Sequence, residues 1–351
     1  MKKKNPTLRD VAKVAGVAVG TVSNYLNKPD TVKEKNRLEI EEAIRKLNYS
    51  PNTMAQRLAK GQSSTILLYI LSENAIGSST WLHQLPMIQT INDYLQNTKY
   101  ALHIKIGGVD KPEYACEYLM NCIASKTIDG VAILSAWEVS RDIIMTFLHY
   151  DFPFVLLENE NLLTHDSDII FDNQKMVEDV VDYLYKKGHR KIGFINVDSS
   201  QQHIRKRMEG YFSGMKRNNL PILDKWIMEG DFSIESGYAC MSRLLSCEQI
   251  PTAIVAGNDN MAVGAIKAIT EKGYRVPQDI SVVGIDNSIV SQACVPELTT
   301  MEIPLKQVGE TAIRQLLLRM EDRRHTIMQT VYECRLVERL SVTSPTNSFF
   351  K

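Results

Sequence analysis

Three polar clusters in the body of the chain follow apolar runs. Glu158 ends "FVLLE", Asn258 and Asp259 follow "TAIVAG", and Asp286 with Asn287 closes "ISVVGID". A carboxylate such as Asp286 can accept from two neighbouring hydroxyls, and an amide such as Asn258 can both accept and donate, which is chemistry for gripping a small polar ligand. The same residue types also cap helices and form turns, so each position alone has an ordinary structural explanation. Three of them at the ends of buried strand-like runs favour a shared cleft, because ligands of parallel sheets sit at the carboxyl ends of strands. A second polar set lies near the N-terminus. In "AGVAVGTVSNYLN", residues 15–27, a glycine turn is followed by Gly20, Thr21, Ser23 and Asn24 on a helix whose apolar positions are elsewhere. A helix that only fills a core has no use for such a face. Covalent or metal chemistry has no comparable support. The chain has no GxSxG turn, P-loop, HExxH or supported Ser/His/Asp set, and "GND" and "GIDN" sit in no GxGxxG turn, so no catalytic residue is expected. The six cysteines, Cys116, Cys122, Cys240, Cys247, Cys294 and Cys334, form no CxxC pair and stand beside no histidine at ligand spacing. Reduced thiols, no metal and no cofactor are expected.

The elements that must position these residues fall into two parts. The chain has 351 residues, too many for one ordinary core. Its formal net charge of zero hides an asymmetry: residues 1–60 carry 13 Lys and Arg against 6 Asp and Glu, and the remainder carries the opposite excess. A basic head on an acidic body suits a head that meets a polyanion. Thr7 and Asp10 read as a capping box opening a first helix with Leu8, Val11, Ala12 and Ala15 on one stripe. Gly16 breaks that helix. Val17, Val22 and Leu26 carry the apolar face of a second, and Leu38, Ile40, Ala43, Ile44 and Leu47 that of a third over roughly 33–47. This is a helix-turn-helix unit, whose second helix enters the major groove; a partnerless three-helix bundle is the bland alternative. From residue 63 on, continuous Val/Ile/Leu runs alternate with helical stretches such as 173–188, the pattern of parallel strands covered on both faces. Two doubly wound lobes of similar size account for the count. No apolar run approaches the roughly 18 residues that span a membrane, and "MKKKNPTLRD" has no apolar segment after its lysines, so a cytoplasmic protein is expected.

"TLRDVAKVAGVAVGTVSNYLN" and "IRKLNYSPNTMAQRLAKGQSS" resemble the head of the LacI/GalR family of bacterial transcription regulators. The resemblance implies that Val19, Gly20 and Asn24 read bases, that Thr21 and Ser23 contact phosphate, and that Thr7 and Asn52 also meet DNA. It makes "PNTMAQRLA" a hinge helix that pushes Leu58 into the minor groove, where an apolar wedge can unstack a base step. Ala18 and Lys33 stand where the family usually has a serine, so two helix caps are lost. Asn24 often finds Arg in relatives, which implies a different operator contact.

In the body, "RMEGY", "PTAIVAGNDNMAVGAIKAI", "VPQDISVVGIDN" and "PELTTMEIPLKQVGETAIRQLL" resemble the family's regulatory domain. The resemblance implies two lobes like a periplasmic binding protein, three crossovers and a ligand between the lobes. It places Arg207 where an arginine holds the effector, Asn258 and Asp286 at further pocket positions, Phe232 where an aromatic stacks, and Glu158 near a position more often Asp. The likeness is weak over 72–125, and Trp81 and His83 suit either the pocket or an interface. The implied organisation is a helix-turn-helix domain over 1–50, a hinge helix and linker over 51–62, and an effector and dimerisation domain over 63–345. Its first lobe is expected at 63–161 with 290–322, and its second at 162–289 with 323–345. The implied function is a homodimeric repressor of carbohydrate genes, bound to double-stranded operator DNA and controlled by a sugar-like effector. A nucleobase effector, a protein co-repressor and a cytosolic solute-binding protein are the alternatives.

Overall fold

A computed structural model describes residues 6–49, 63–72, 83–108, 112–135, 137–159, 168–197 and 201–345. The chain divides into two compact units, Met1–Ser63 and Ser64–Lys351. In the first, helix α1 (Leu8–Ala15) opens on the expected capping box: Asp10 N donates to the Thr7 side chain, and Thr7 N donates to Asp10 Oδ2 at 2.8 Å. Gly16 ends it at φ 65, a left-handed conformation that glycine adopts without a Cβ penalty. Helices α2 (Val19–Asn27) and α3 (Glu34–Leu47) follow, and neither Ala18 nor Lys33 supplies a side-chain cap. Val11, Ala12, Ala15, Val22, Val32, Ile40 and Ala43 make the core of this unit. Leu38 is not part of it: the residue is 61% exposed. It stands two positions before Ile40, roughly 200° around the helix, so both cannot face inward.

The second unit holds two six-stranded sheets. The first is ordered β2 (Ala101–Gly108), β1 (Thr65–Ser72), β3 (Gly130–Ser135), β4 (Phe154–Leu157), β5 (Asp168–Phe171), β11 (Thr330–Tyr332). The second is ordered β7 (Ile227–Gly230), β6 (Ile192–Val197), β8 (Ala253–Ala256), β9 (Ser281–Asp286), β10 (Thr299–Glu302), β12 (Arg335–Val337). Every pairing is parallel except β10 with β12. The central runs are buried at every position, as in Gly130–Ser135 and Phe154–Leu157, which is why they read as continuous rather than alternating. Helices α4 (Leu85–Leu95), α5 (Pro112–Ala124), α6 (Arg141–His149) and α12 (Leu305–Glu321) belong with the first sheet. Helices α7 (Asn173–Lys186), α8 (Gln202–Arg217), α9 (Ile234–Leu244), α10 (Asp259–Glu271) and α11 (Ile289–Ala293) belong with the second.

Strand pairing moves the lobe boundaries from the expected ones. β5 pairs with β4, so the first lobe runs on through Phe171. β10 pairs with β9, so the second keeps the chain to Glu302. β11 pairs with β5 and returns Thr330–Tyr332 to the first lobe. The chain therefore crosses at 171–173, 302–305 and 332–335, each time within a few residues of a strand end. Those crossings carry no composition change, which is why the sequence does not mark them.

Candidate nucleic-acid interface and ligand cleft

Helix α2 buries Val22 and leaves Val19, Gly20 and Asn24 exposed, with Thr21 and Ser23 half-buried beside them. Val19 is 42% exposed, at the first helical position, and a Cβ added at Gly20 would meet no atom within 4 Å. These five residues thus lie on the accessible side of the start of the helix, where Gly20 adds no side chain. Thr7 belongs to α1 as its cap, where its hydroxyl also donates to Asp10 Oδ2 at 2.7 Å. Asn52 and Leu58 lie outside the described residues, as does Trp81.

In the second unit the candidate residues converge at strand ends. Arg207 stands on α8 and is buried. Its Nε donates to Asn173 Oδ1 at 2.9 Å and its Nη1 to the Gly257 carbonyl at 2.6 Å. Helix α8 reaches this place by lying against α7 at Gly210, where a Cβ would stand 2.2 Å from the Gln174 carbonyl oxygen. Burial lowers the Arg207 pKa, and the charges of Asp286, Cys334 and Glu158 oppose that shift. Two of its donors are fixed on the protein, while Nη2 makes no hydrogen bond among the described residues.

Asp286 ends β9 with φ 118, and Asn287 follows with φ 53. Such backbone values cost a non-glycine residue on the order of 1–3 kcal/mol and persist only where the surroundings impose them. Asp259 does so here. Fully buried at the start of α10, its carboxylate accepts from Ser288 N at 2.7 Å, Ser288 Oγ at 2.8 Å and Thr300 Oγ1 at 2.6 Å. Asn287 N donates to the same Thr300 hydroxyl at 3.3 Å, and Arg339 donates to the Asn287 side chain. Burial pushes the Asp286 carboxyl up to about 7 against the pull of Arg207, and burial with the Asp286 charge pushes Asp259 up to about 7. Asp259 spends its oxygens on the turn. The Asp286 carboxylate accepts no hydrogen bond among the described residues.

Asn258 behaves differently from a free pocket amide. Its Oδ1 accepts from Met261 N at 2.9 Å, capping α10, and its Nδ2 donates to the Phe232 carbonyl at 3.0 Å. Phe232 sits at φ 67, half-buried against the second-lobe core, so Asn258 pins a strained residue. Glu158 follows β4 at φ 58; its Oε2 accepts from Gln84 Nε2 at 2.9 Å and its buried Oε1 has no partner among the described residues. Burial raises its pKa, while His83 and the Gln84 bond oppose the rise and Asp286 adds to it. A small cleft is lined by Glu138, Glu158, Asn159, Asn173, Gln202 and His203, with Ile170 and Phe171. Asn173 belongs both to this lining and to the Arg207 contact, so the two are neighbours. The sequence marks Asp259 with Asn258 as a strand-end cluster, but it does not single out Asn173, Gln84 or Asn159, which read as helix or loop residues.

The pattern of the bacterial regulatory proteins of the lacI family matches residues 7–52, and that of a periplasmic binding protein-like domain matches residues 181–342. An HTH-type transcriptional repressor PurR of Photorhabdus laumondii subsp. laumondii is 34% identical over 343 residues, covering 96% of this chain and 96% of its own. A PurR repressor of Mannheimia succiniciproducens is 33% identical over 317 residues, covering 90% and 92%. The chain belongs to the LacI family. A solved LacI-family structure, the lac repressor dimer bound to operator and the anti-inducer ONPF, matches with a TM-score of 0.84 at 29% identity, covering 97% of this chain and 100% of that one. As a LacI-family member, this protein is a ligand-responsive, DNA-binding transcriptional repressor and not an enzyme. No described helix is long and apolar enough to cross a membrane.

Proposed function

We propose that this repressor works as a cytoplasmic homodimer whose operator affinity is set by a ligand carrying a purine base. Helix α2 reads the operator through Val19, Gly20 and Asn24, with Thr7, Thr21 and Ser23 on phosphate and Asn52 and Leu58 acting from the hinge. The sugar effector expected from the sequence gives way to the nucleobase alternative, because the relatives matched over nearly their whole length are named PurR repressors. The observation that carries this reading is a pair of groups that feel each other's charge and are unspent among the described residues: an Asp286 carboxylate with no donor and an Arg207 with an unused Nη2. A purine offers both complements. Its ring N–H and amino groups donate to a carboxylate, and its carbonyl oxygen and N7 accept from a guanidinium. Phe232 supplies an aromatic face for a flat ring.

Thermal unfolding and calorimetry with purines and with sugars test the ligand, and operator titration with the same panel tests the coupling. A purine should raise the melting temperature and change operator affinity, because a ligand of the folded state stabilises it. Stabilisation by sugars alone would overturn the purine reading and restore the polyol one. The DNA contacts are tested separately by operator titration of α2 variants.

A further inference from the structure

The first-lobe rim of the cleft holds two acceptors that the grip on a base does not use. Glu158 Oε1 and Asn159 Oδ1 are both buried without a partner among the described residues. The opposite ends of these side chains are already committed. Glu158 Oε2 takes Gln84 Nε2, and Asn159 Nδ2 donates to the carbonyls of Ser135 and Trp137. The amide therefore cannot turn over to offer a donor without giving up both bonds. Asn159 is 3% exposed, so its free oxygen carries a desolvation cost that a donor from a ligand would relieve. Glu158 and Asn159 follow the end of β4, and both line the cleft, with Glu158 in a left-handed backbone conformation. The opposing wall is supplied by Gln202 and His203 at the start of α8, and Asn173 connects this rim to Arg207.

Two acceptors on consecutive residues match two donors on consecutive atoms. We propose that Glu158 and Asn159 form a second subsite that takes the vicinal hydroxyls of a pentose, so that the effector is a purine nucleoside rather than a free base. This rests on the purine reading of the Arg207–Asp286 site. A neutral hydroxyl meets the rim in either protonation state of Glu158: it donates to a carboxylate Oε1, or accepts from the carboxylic acid that burial favours.

The test is calorimetry on the full-length protein with guanine, guanosine, 2′-deoxyguanosine and ribose, then with the adenine and hypoxanthine counterparts. The nucleoside should bind about tenfold or more tightly than its base, and removal of the 2′-hydroxyl should cost about tenfold of that gain, the loss expected for one buried hydrogen bond. Glu158→Gln should shrink the nucleoside's advantage while leaving the affinity for the free base unchanged. A base that binds as tightly as its nucleoside, or more tightly, would overturn the second subsite and leave the purine reading intact. Binding of ribose or other sugars with no binding of any purine would overturn both. Equal loss of base and nucleoside in Glu158→Gln would show that the rim holds the lobe rather than the ligand, and would also overturn the proposal. Should that variant fail to fold, the comparison of base, nucleoside and deoxynucleoside on the unaltered protein decides the matter.

Discussion

Asn258→Ala separates a ligand contact from a brace. The residue makes two bonds, one from Met261 N to its Oδ1 and one from its Nδ2 to the Phe232 carbonyl. Replacing an Asn cap by Ala costs about 1 kcal/mol. Leaving the Phe232 carbonyl without its donor costs about 1 kcal/mol more. The variant should therefore lose roughly 2 kcal/mol, which for a unit of this size lowers the melting temperature by roughly 4 °C. Asn258→Asp keeps the cap, because Asp serves that position as well as Asn, but it cannot donate to Phe232. It should lose about half as much. Both variants free Phe232 from its left-handed conformation and should weaken effector binding together. Scanning calorimetry on the ligand-free protein gives the order wild type, Asp, Ala; titration with effector gives the affinities. If Asn258→Ala melts with the wild type yet loses effector affinity, the amide touches ligand directly and the brace is wrong. Equal destabilisation by Asp and Ala would show that the cap contributes nothing.

Other outcomes follow from the same geometry. Gly210→Ala should cost about 1–3 kcal/mol by overpacking and should weaken effector binding by moving Arg207 away from Asn173; unchanged melting would show that α7 and α8 can separate freely. Burial raises the coupled Asp286 and Asp259 carboxyls to about 7 in the folded protein, against near 4 unfolded, so ligand-free stability should fall as pH rises from 4 to 7 and level off above. Asp286→Asn should flatten that slope in melts between pH 5 and 8, and an unaltered slope would refute the assignment. His189 has the opposite sign: burial pushes it down to about 4 against the bond to the Thr343 carbonyl, so its contribution is whole above pH 6.5 and disappears as pH falls towards 4. His189→Gln should make the acid limb shallower. Asn24→Ala should weaken operator binding by about 1–3 kcal/mol and spare nonspecific DNA; equal loss on every sequence would place Asn24 on phosphate.

The helix-turn-helix unit was legible because its signals are local. The Thr7–Asp10 capping box, the turn at Gly16 and the stripes of α1 and α2 lie within twenty residues of one another. Leu38 misled because hydrophobicity was weighed without its angle around the helix. The long central strands were legible from composition, since burial on both faces demands unbroken apolar runs. β7, β10, β11 and β12 were not: each has three or four residues, half of them polar or exposed, and only pairing with distant segments defines them as strands. The site shows the same division. Strand-end carboxylates announced Asp286 and Glu158, but which polar atoms are already spent depends on partners far away in sequence. Thr300 bonds Asp259 across 41 residues, and Gln84 reaches Glu158 across 74. No local pattern distinguishes Asn258, whose bonds are internal, from Asp286, whose bonds are open.

The three crossings between lobes have a consequence for how the repressor is made. Each lobe is assembled from separated stretches of chain, and the segment after residue 329 completes both. Thr330 pairs with Ile169, Arg335 with Glu302, and Val282 N donates to the Ser341 carbonyl at 2.9 Å. Neither sheet can close until that segment leaves the ribosome. The head depends on contacts within its first fifty residues, and at 5–20 residues per second it precedes the finished sheets by about 15–60 s. During that interval the nascent chain displays a formed DNA-binding head behind which the ligand cleft does not yet exist. A ribosome that stops short of residue 330 leaves two open sheet edges, the surfaces on which unfinished chains aggregate.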